Sequence, residues 1–425
     1  MDDFAGERIG ESDMRMPRPW IIAGLMLIAP TASGAQLLPS PGAGLGAVRQ
    51  VVPGLIDRAE GALDQAGLDR LSPAQLADRL AAARAARIDR LLRAHGDSIE
   101  LDDRREPARR GVILLTGADM AALSALRAAG YDVESDSVEG LDLSVTRLTV
   151  PKGRTLAKAL REVRKVAPQA QASADNLYAP SGPTLALASA AHPLESGRVE
   201  GRAVGLIDGG VARHPSLTGA VEQRGFATGA PRASAHGTAV ASLISGDGLV
   251  KGAAPGTPLL AADVYGDDPA GGGAFAIVRA LGWMAARGVR VVTISLVGPA
   301  NPLLEGAIRL ARDKGVTVVA AVGNDGPAAP PAYPASYPGV VAVTGIDGRG
   351  RPLPEAGRAL HVDFAAPGAD MQAATMDGGK GAVRGTSFAA PLVAGRLVEQ
   401  GSIERLRAEG AKGKPPVICG SCRNN

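Results

Sequence analysis

Gly385-Thr386-Ser387-Phe388-Ala389-Ala390-Pro391 sets a serine at the head of an apolar run, Phe388 to Val398, that reads as a helix. Ser387 then stands at a helix N-terminus, where backbone N–H groups lack intrahelical partners. Those groups can hold the charge that forms on a carbonyl oxygen under attack, and Gly385 lets the chain turn tightly beside them. A hydroxyl so placed can act as a nucleophile once a base takes its proton.

The chain has five histidines, and one stands in a comparably special setting. His236, in Ser234-Ala235-His236-Gly237-Thr238-Ala239-Val240-Ala241-Ser242-Leu243-Ile244, comes just before a small-residue helix. A third group must orient its imidazole. Asp208 ends the apolar strand Ala203-Val204-Gly205-Leu206-Ile207 before Gly209-Gly210, and the C-terminal end of a strand is where α/β sites are built. His95, His192, His214 and His361 have no partner pattern and read as ordinary. Taken singly, Ser387 reads equally as a capping serine, His236 as a loop histidine and Asn324 as a turn residue.

Three boxes carry a resemblance to the subtilisin family of serine proteases: Gly205-Leu206-Ile207-Asp208-Gly209-Gly210, His236-Gly237-Thr238-Ala239-Val240-Ala241, and Gly385 to Pro391. The order Asp, His, Ser is that family's order. Ser295-Leu296, Val319-Ala320-Ala321-Val322-Gly323-Asn324, Tyr333-Pro334-Ala335-Ser336-Tyr337-Pro338 and Phe364-Ala365-Ala366-Pro367-Gly368 match as well. Together they cover about 200 residues, Arg198 to Gln400.

The resemblance implies an α/β catalytic domain on a mainly parallel, doubly wound sheet. It implies a catalytic triad of Asp208, His236 and Ser387, with Asn324 completing the oxyanion hole. Ser295, Leu296, Val297, Gly298 and Gly323 take substrate-binding positions. The implied activity is that of a serine endopeptidase acting on polypeptide through an acyl-enzyme. No cofactor is required and no metal site is assigned; no acidic loop has calcium-site spacing, which leaves a structural calcium neither required nor excluded. Two departures stand out. Gly209 follows Asp208 where many members carry a hydroxyl residue, removing a possible hydrogen-bond partner of the carboxylate. Val297 replaces the first glycine of the family's Ser-Leu-Gly-Gly strand, so the primary pocket is expected to be narrowed and to prefer small residues. One alternative is an inactive or permanently inhibited relative acting as a binding or regulatory protein. Another is the same machinery used on esters or for transpeptidation.

Near-continuous Val and Ile runs alternate with helical stretches through this region: strands over 203–208, 259–265, 289–296, 316–322 and 340–343, helices after His236 and over 274–287 and 302–314. Strands of that composition are buried on both faces. Helices between them imply right-handed crossovers and a parallel sheet.

Before the catalytic region, residues 1–35 read as an export signal: Arg15-Met16-Pro17-Arg18-Pro19 precedes the apolar stretch Trp20 to Ala32, and cleavage is expected after Ala35. The rival, a membrane anchor, needs about 20 apolar residues and this stretch is shorter, so no stable membrane span is expected. The product is then periplasmic or secreted. Residues 36–107 form a linker and a helical pro-segment. Ser72-Pro73 start a helix that continues through Leu76, Leu80, Ala83, Arg87 and Leu91 to Ala94, with its Ala and Arg face read as solvated. The charge run Asp102 to Arg110 marks a boundary.

Over 108–180 the order strand, helix, strand, strand, helix, strand is that of a ferredoxin-like α+β domain. Between an export signal and a subtilisin-like domain it looks like that family's propeptide, which assists folding and then inhibits. Its last strand, near Asn176-Leu177-Tyr178, could lie in the substrate cleft as an added strand. Residues 181–197 are a Pro-, Ala- and Ser-rich connector suited to a processing cut. Residues 198–400 form the catalytic domain and 401–425 a tail. There Cys419-Gly420-Ser421-Cys422 is read as a small disulfide, in preference to zinc binding or thioredoxin-like chemistry.

Composition narrows the partners. The 425 residues are 45% hydrophobic and carry a net charge of only +3, with basic residues spread among acids, so neither nucleic acid nor a membrane surface is indicated. At 3% aromatic residues, a base-stacking surface is also disfavoured.

Overall fold

Seven strands rich in Val, Ile and Ala pair side by side in the order β14-β13-β12-β10-β7-β9-β8, and every pairing is parallel. They are β7 (Val204–Asp208), β8 (Val221–Gly225), β9 (Leu259–Asp263), β10 (Val291–Ile294), β12 (Thr317–Ala321), β13 (Val341–Ile346) and β14 (Phe364–Pro367). The structure, a computed structural model, describes residues 71–180, 199, 202–411, 413–420 and 422. The expected export signal, the linker up to residue 70 and the whole 181–197 connector lie outside the described residues. Among the described residues no helix is long and apolar enough to cross a membrane.

Both faces of the sheet are buried. Leu206 and Val319 point into one cluster, with Val240 and Ile244 of α4 (Ala235–Ser245) and Leu392 and Val393 of α7 (Ala389–Gln400). Ile207, Val292 and Ile294 point into the other, with Val278 and Leu281 of α5 (Ala274–Ala286) and Leu304 and Ile308 of α6 (Pro302–Asp313). Adjacent residues Leu206 and Ile207 enter opposite cores, as the strand's period of two requires. The result is a doubly wound α/β domain. Strand β8 was not expected from the sequence. It is an edge strand whose residues alternate between buried and more exposed, and Val-Glu-Gln-Arg-Gly lacks the apolar run of its neighbours.

The preceding domain has its own antiparallel sheet. β2 (Pro107–Thr116), β3 (Asp132–Val138), β4 (Leu143–Thr149) and β5 (Gln171–Asn176) run in the order β5-β2-β4-β3, with α2 (Met120–Ala128) and α3 (Leu156–Val166) on one face. Asp119 and Thr155 cap those helices through their side chains. Ile113 and Leu115 of β2 enter this domain's own core beside Leu160 and Val163, whereas Leu114 between them joins the core shared with α5 and α6. The second face of the small sheet is thus buried against helices of the large domain.

A further strand, β1 (Ile99–Leu101), pairs with the start of β2, so this sheet begins before residue 108. The charge run Asp102 to Arg110 is no boundary but a hairpin turn and the opening of β2. Its charge is absorbed locally, since Asp102 accepts the N–H groups of Arg104 and Glu106. The pro-segment helix is α1 (Pro73–Ala94), started by a capping box between Ser72 and Gln75. Its arginine face is not simply solvated, because Arg84 and Arg87 reach Asp325 of the large domain.

The tail also packs on the large domain. Ala365 N–H donates to Pro416 O and Ile418 N–H to Ala365 O, extending the sheet edge at β14, and Ile418 is buried. Cys419 and Cys422 are joined as a disulfide beyond it.

Candidate active site

Asp208, the last residue of β7, is 1% exposed, and both its carboxylate oxygens lie 2.9 Å from His236 Nδ1. His236 is the second residue of α4, whose N-terminus is fixed by Ser234 Oγ accepting the Gly237 N–H at 2.9 Å. With Nδ1 held by the carboxylate, Nε2 is the free ring atom. It is buried and has no hydrogen-bond partner among the described residues. The imidazole packs against Phe388, with ring centroids 5.4 Å apart.

Ser387 lies in a 3-10 turn, Thr386–Phe388, that leads into α7, so the nucleophile candidate precedes the α-helix by one tight turn. Gly385 takes φ 139°, a conformation L side chains rarely adopt, which explains the glycine there. Ser387 Oγ is buried and, like His236 Nε2, has no hydrogen-bond partner among the described residues. Buried polar atoms are usually hydrogen-bonded, and two unpaired ones on neighbouring elements mark a place where a reacting group can enter.

The Ser387 turn is tied to two other segments. Asn324, just after β12, accepts the Thr386 N–H through Oδ1 at 3.0 Å, and Thr386 Oγ1 donates to Gly323 O at 3.1 Å. Ser295 Oγ donates to Ser387 O at 3.0 Å. With its oxygen engaged, the Asn324 amide can offer only its N–H groups to an incoming atom. Leu296 and Val297 form the short strand β11, and Gly298 pairs with Tyr333 across an antiparallel bridge. Val297 Cγ1 lies 3.3 Å from where a Cβ on Gly323 would stand, so these two positions face each other.

Gly209 has a steric reason. A Cβ there would lie 2.4 Å from Ser234 Oγ and 2.8 Å from Ser234 Cβ, so the capping serine occupies the space of a side chain. The Gly209 N–H donates to Asp208 Oδ1 at 2.7 Å, so this residue still contributes a hydrogen bond to the carboxylate through its backbone.

The cleft holds part of the chain itself. Leu177 bridges Gly273, Tyr178 N–H donates to Gly272 O at 2.9 Å, and β6 (Ala179–Pro180) pairs antiparallel with β11. Residues 177–180 therefore form a strand between Gly272-Gly273 and Leu296-Val297. Tyr178 anchors it: 1% exposed, it donates its hydroxyl to Pro299 O at 2.7 Å and accepts the Tyr265 hydroxyl on its carbonyl at 2.6 Å. A Cβ on Gly298 would stand only 2.6 Å from this ring. Burial, first of all, pushes the Tyr178 and Tyr265 hydroxyls well above the ordinary tyrosine range, so both remain donors.

The sequence placed the strand near Asn176-Leu177-Tyr178 in the cleft but did not single out its partners Gly272 and Tyr265, nor Asp263. Asp263 is buried beside Asp208 in the β7–β9 register and accepts backbone N–H groups from Arg232, Tyr265 and Gly266. Burial outweighs those bonds and raises its carboxyl above the usual range. The one available signal was its position at a strand end level with Asp208. No group of three or more His, Cys, Asp or Glu among the described residues is arranged to hold a metal ion.

A wholly parallel doubly wound sheet with Asp208 at a strand end, His236 in the first turn of one helix and Ser387 in the turn before another is the arrangement of a serine-type endopeptidase of the α/β class. The chain belongs to the subtilase family, whose match spans residues 200–399. Subtilisin BL of Lederbergia lenta is 35% identical over 210 residues, covering 46% of this chain and 76% of the relative. Subtilisin E of Bacillus subtilis (strain 168) is 31% identical over 259 residues, 56% of this chain and 66% of the relative. Fervidolysin from Fervidobacterium pennivorans shares the fold, with a TM-score of 0.60 at 19% identity over 74% of this chain and 61% of that one.

Proposed function

We propose that the chain is an exported serine endopeptidase made as an inhibited precursor, with Ser387 as nucleophile, His236 as base and Asp208 as the group that orients it. The observation that carries this reading is the pairing of His236 Nδ1 with both Asp208 oxygens while His236 Nε2 and Ser387 Oγ stay buried and unpartnered. Ser387 Oγ adds to the peptide carbonyl and gives its proton to His236 Nε2. Asp208 stabilises the imidazolium, and that proton then passes to the leaving amine. The oxyanion takes N–H groups from the Ser387 backbone and the Asn324 side chain. Water repeats the sequence on the acyl-enzyme. No cofactor enters this scheme, and calcium would serve structure only.

In the same reading residues 108–180 are the propeptide, and 177–180 occupy the cleft as a product would. Ser295, Leu296, Val297, Gly298 and Gly323 bind substrate, and release takes place in the periplasm or outside the cell. The filled cleft also favours a second reading, a permanently inhibited relative with a regulatory role. The experiment is the intact mass, over time, of purified full-length chain beside its Ser387→Ala variant, with a fluorophosphonate probe added at each point. Loss of an N-terminal fragment and labelling in the wild type alone supports the peptidase. An unlabelled wild type that stays whole for days supports the inhibited relative.

A further inference from the structure

We propose that helix α1 is a second anchor of the N-terminal region, docked on the Asp325–Gly326 loop, which keeps the propeptide bound after the chain has been cut. The inference rests on the peptidase reading of the Ser387 site and concerns its regulation.

The helix stands outside the ferredoxin-like sheet and has no fully buried residue. Its half-buried positions include Leu76, Leu80, Arg84 and Ile88, spaced four apart and so forming one stripe. That stripe meets a glycine. Leu80 Cδ1 lies 2.6 Å from where a Cβ on Gly326 would be, so the leucine occupies the space that a side chain there would fill. Beside it Arg87 Nη2 donates to Asp325 Oδ1 at 2.8 Å, and Arg84 Nε stands 3.4 Å from Asp325 Oδ2. Arg84 also binds both oxygens of Glu106, at 2.9 and 2.7 Å, linking the loop to the start of β2. Two arginines on one carboxylate and a leucine against a glycine make a specific docking site. No residue of the ferredoxin-like sheet is needed to form the Leu80–Gly326 and Arg87–Asp325 contacts.

The loop is next to the proposed chemistry. Asn324 binds the Thr386 N–H, and Gly326 N–H donates to Glu355 O at 3.0 Å, while Glu355 grips Arg384 through paired bonds of 2.6 and 2.8 Å. The N-terminal region is thus attached at two places, by residues 177–180 in the cleft and by α1 on this loop. A cut after the cleft strand leaves both attachments in place. Two linked attachments hold far more tightly than either alone, because release of one leaves the other to return it at high effective concentration.

The test uses the full chain with Leu80→Asp and Arg87→Glu combined, and a conservative chain, Arg87→Lys, which keeps a cation on Asp325. On a Ser387→Ala background, hydrogen exchange over 73–94 should rise in the double variant and leave β2 and β5 protected. With Ser387 intact, the N-terminal fragment should separate from the catalytic part on gel filtration, and the fluorophosphonate probe should label at least about tenfold faster than in wild type. Arg87→Lys should leave both close to wild type. Unchanged exchange in α1 overturns the docking. Faster exchange with unchanged fragment release overturns the anchor. A wild-type chain that never labels at any stage refutes the peptidase reading, and then hydrogen exchange over 73–94 in the uncut chain still judges the docking by itself.

Discussion

Asp175 Oδ1 accepts the backbone N–H of Phe275 at 3.0 Å, so the N-terminus of α5 is capped by a residue 100 positions earlier in the chain. The helix has no side-chain cap of its own, because Gly273 stands at its N-cap. Asp175 is also 3.4 Å from Arg109 Nε, and Arg109 in turn binds Asp268 at 2.8 Å. Burial is the largest influence on Asp175 and raises its carboxyl above the ordinary Asp range, against the Phe275 N–H and Arg109, which lower it.

The sign of the pH dependence follows. A carboxyl raised on docking binds a proton more readily docked than free, so this group disfavours docking at neutral pH. Its contribution improves as pH falls from the raised value toward about 4. Melting of the Ser387→Ala full chain should show this as a component of stability that grows on acidification and disappears in Asp175→Asn. The amide oxygen can still accept the Phe275 N–H, so Asp175→Asn should melt no lower than its parent at pH 7. Asp175→Ala loses the cap, at a cost of about 1 kcal/mol. Docking that weakens with acid in an Asp175-dependent way contradicts this account.

Restoring the family's hydroxyl beside Asp208 should do harm. In Gly209→Ser the new Cβ meets Ser234 Oγ and Cβ at 2.4 and 2.8 Å, and Ser234 cannot move without releasing the Gly237 N–H that starts the His236 helix. Overpacking of this kind costs about 1–3 kcal/mol. The measurement is thermal stability together with peptide hydrolysis. A variant as stable as wild type and faster would show that Ser234 yields easily.

What was legible in the sequence is what is encoded locally. The Val and Ile runs of β7, β10, β12 and β13 gave away strands buried on both faces. The cap at Ser72 and the turn at Gly385 marked where helices begin, whereas the helix expected after His236 starts one residue before it, at Ala235, because Ser234 caps it. The subtilase family and the parallel fold followed from ordered boxes, each only six or seven residues long. What was not legible depends on residues far apart. Arg87 meets Asp325, 238 positions away, and Asp175 caps a helix in another domain. Neither has a local pattern to distinguish it from a solvated charge. Tyr178 was legible as part of the cleft strand, but not as its anchor, because its contacts with Gly298 and Pro299 join residues about 120 positions apart.

Asn324→Ala should lower turnover far more than substrate binding. The Asn324 oxygen is held by the Thr386 N–H, so only the amide N–H groups are left for a developing oxyanion. In subtilisin itself, loss of the corresponding donor lowers kcat by on the order of 100- to 1,000-fold. The same range is expected here with KM changed little, measured on the matured enzyme. A fall confined to KM would mean that Asn324 only shapes the cleft.

Val297→Gly should widen the primary pocket and change which bonds are cut. Val297 Cγ1 and Cγ2 lie 3.3 and 3.7 Å from a Cβ position on Gly323, so the two valine methyls stand between β11 and the loop after β12. Removing them leaves room for a larger side chain where the substrate passes Ser387. One methylene in an apolar pocket discriminates by about 1–3 kcal/mol, so the ratio of kcat/KM for cleavage after Phe or Leu to that after Ala should rise at least tenfold. A peptide library read by mass spectrometry gives both ratios in one digest. If wild type already prefers Phe or Leu, the valine does not narrow the pocket, and Gly323 rather than residue 297 sets its depth.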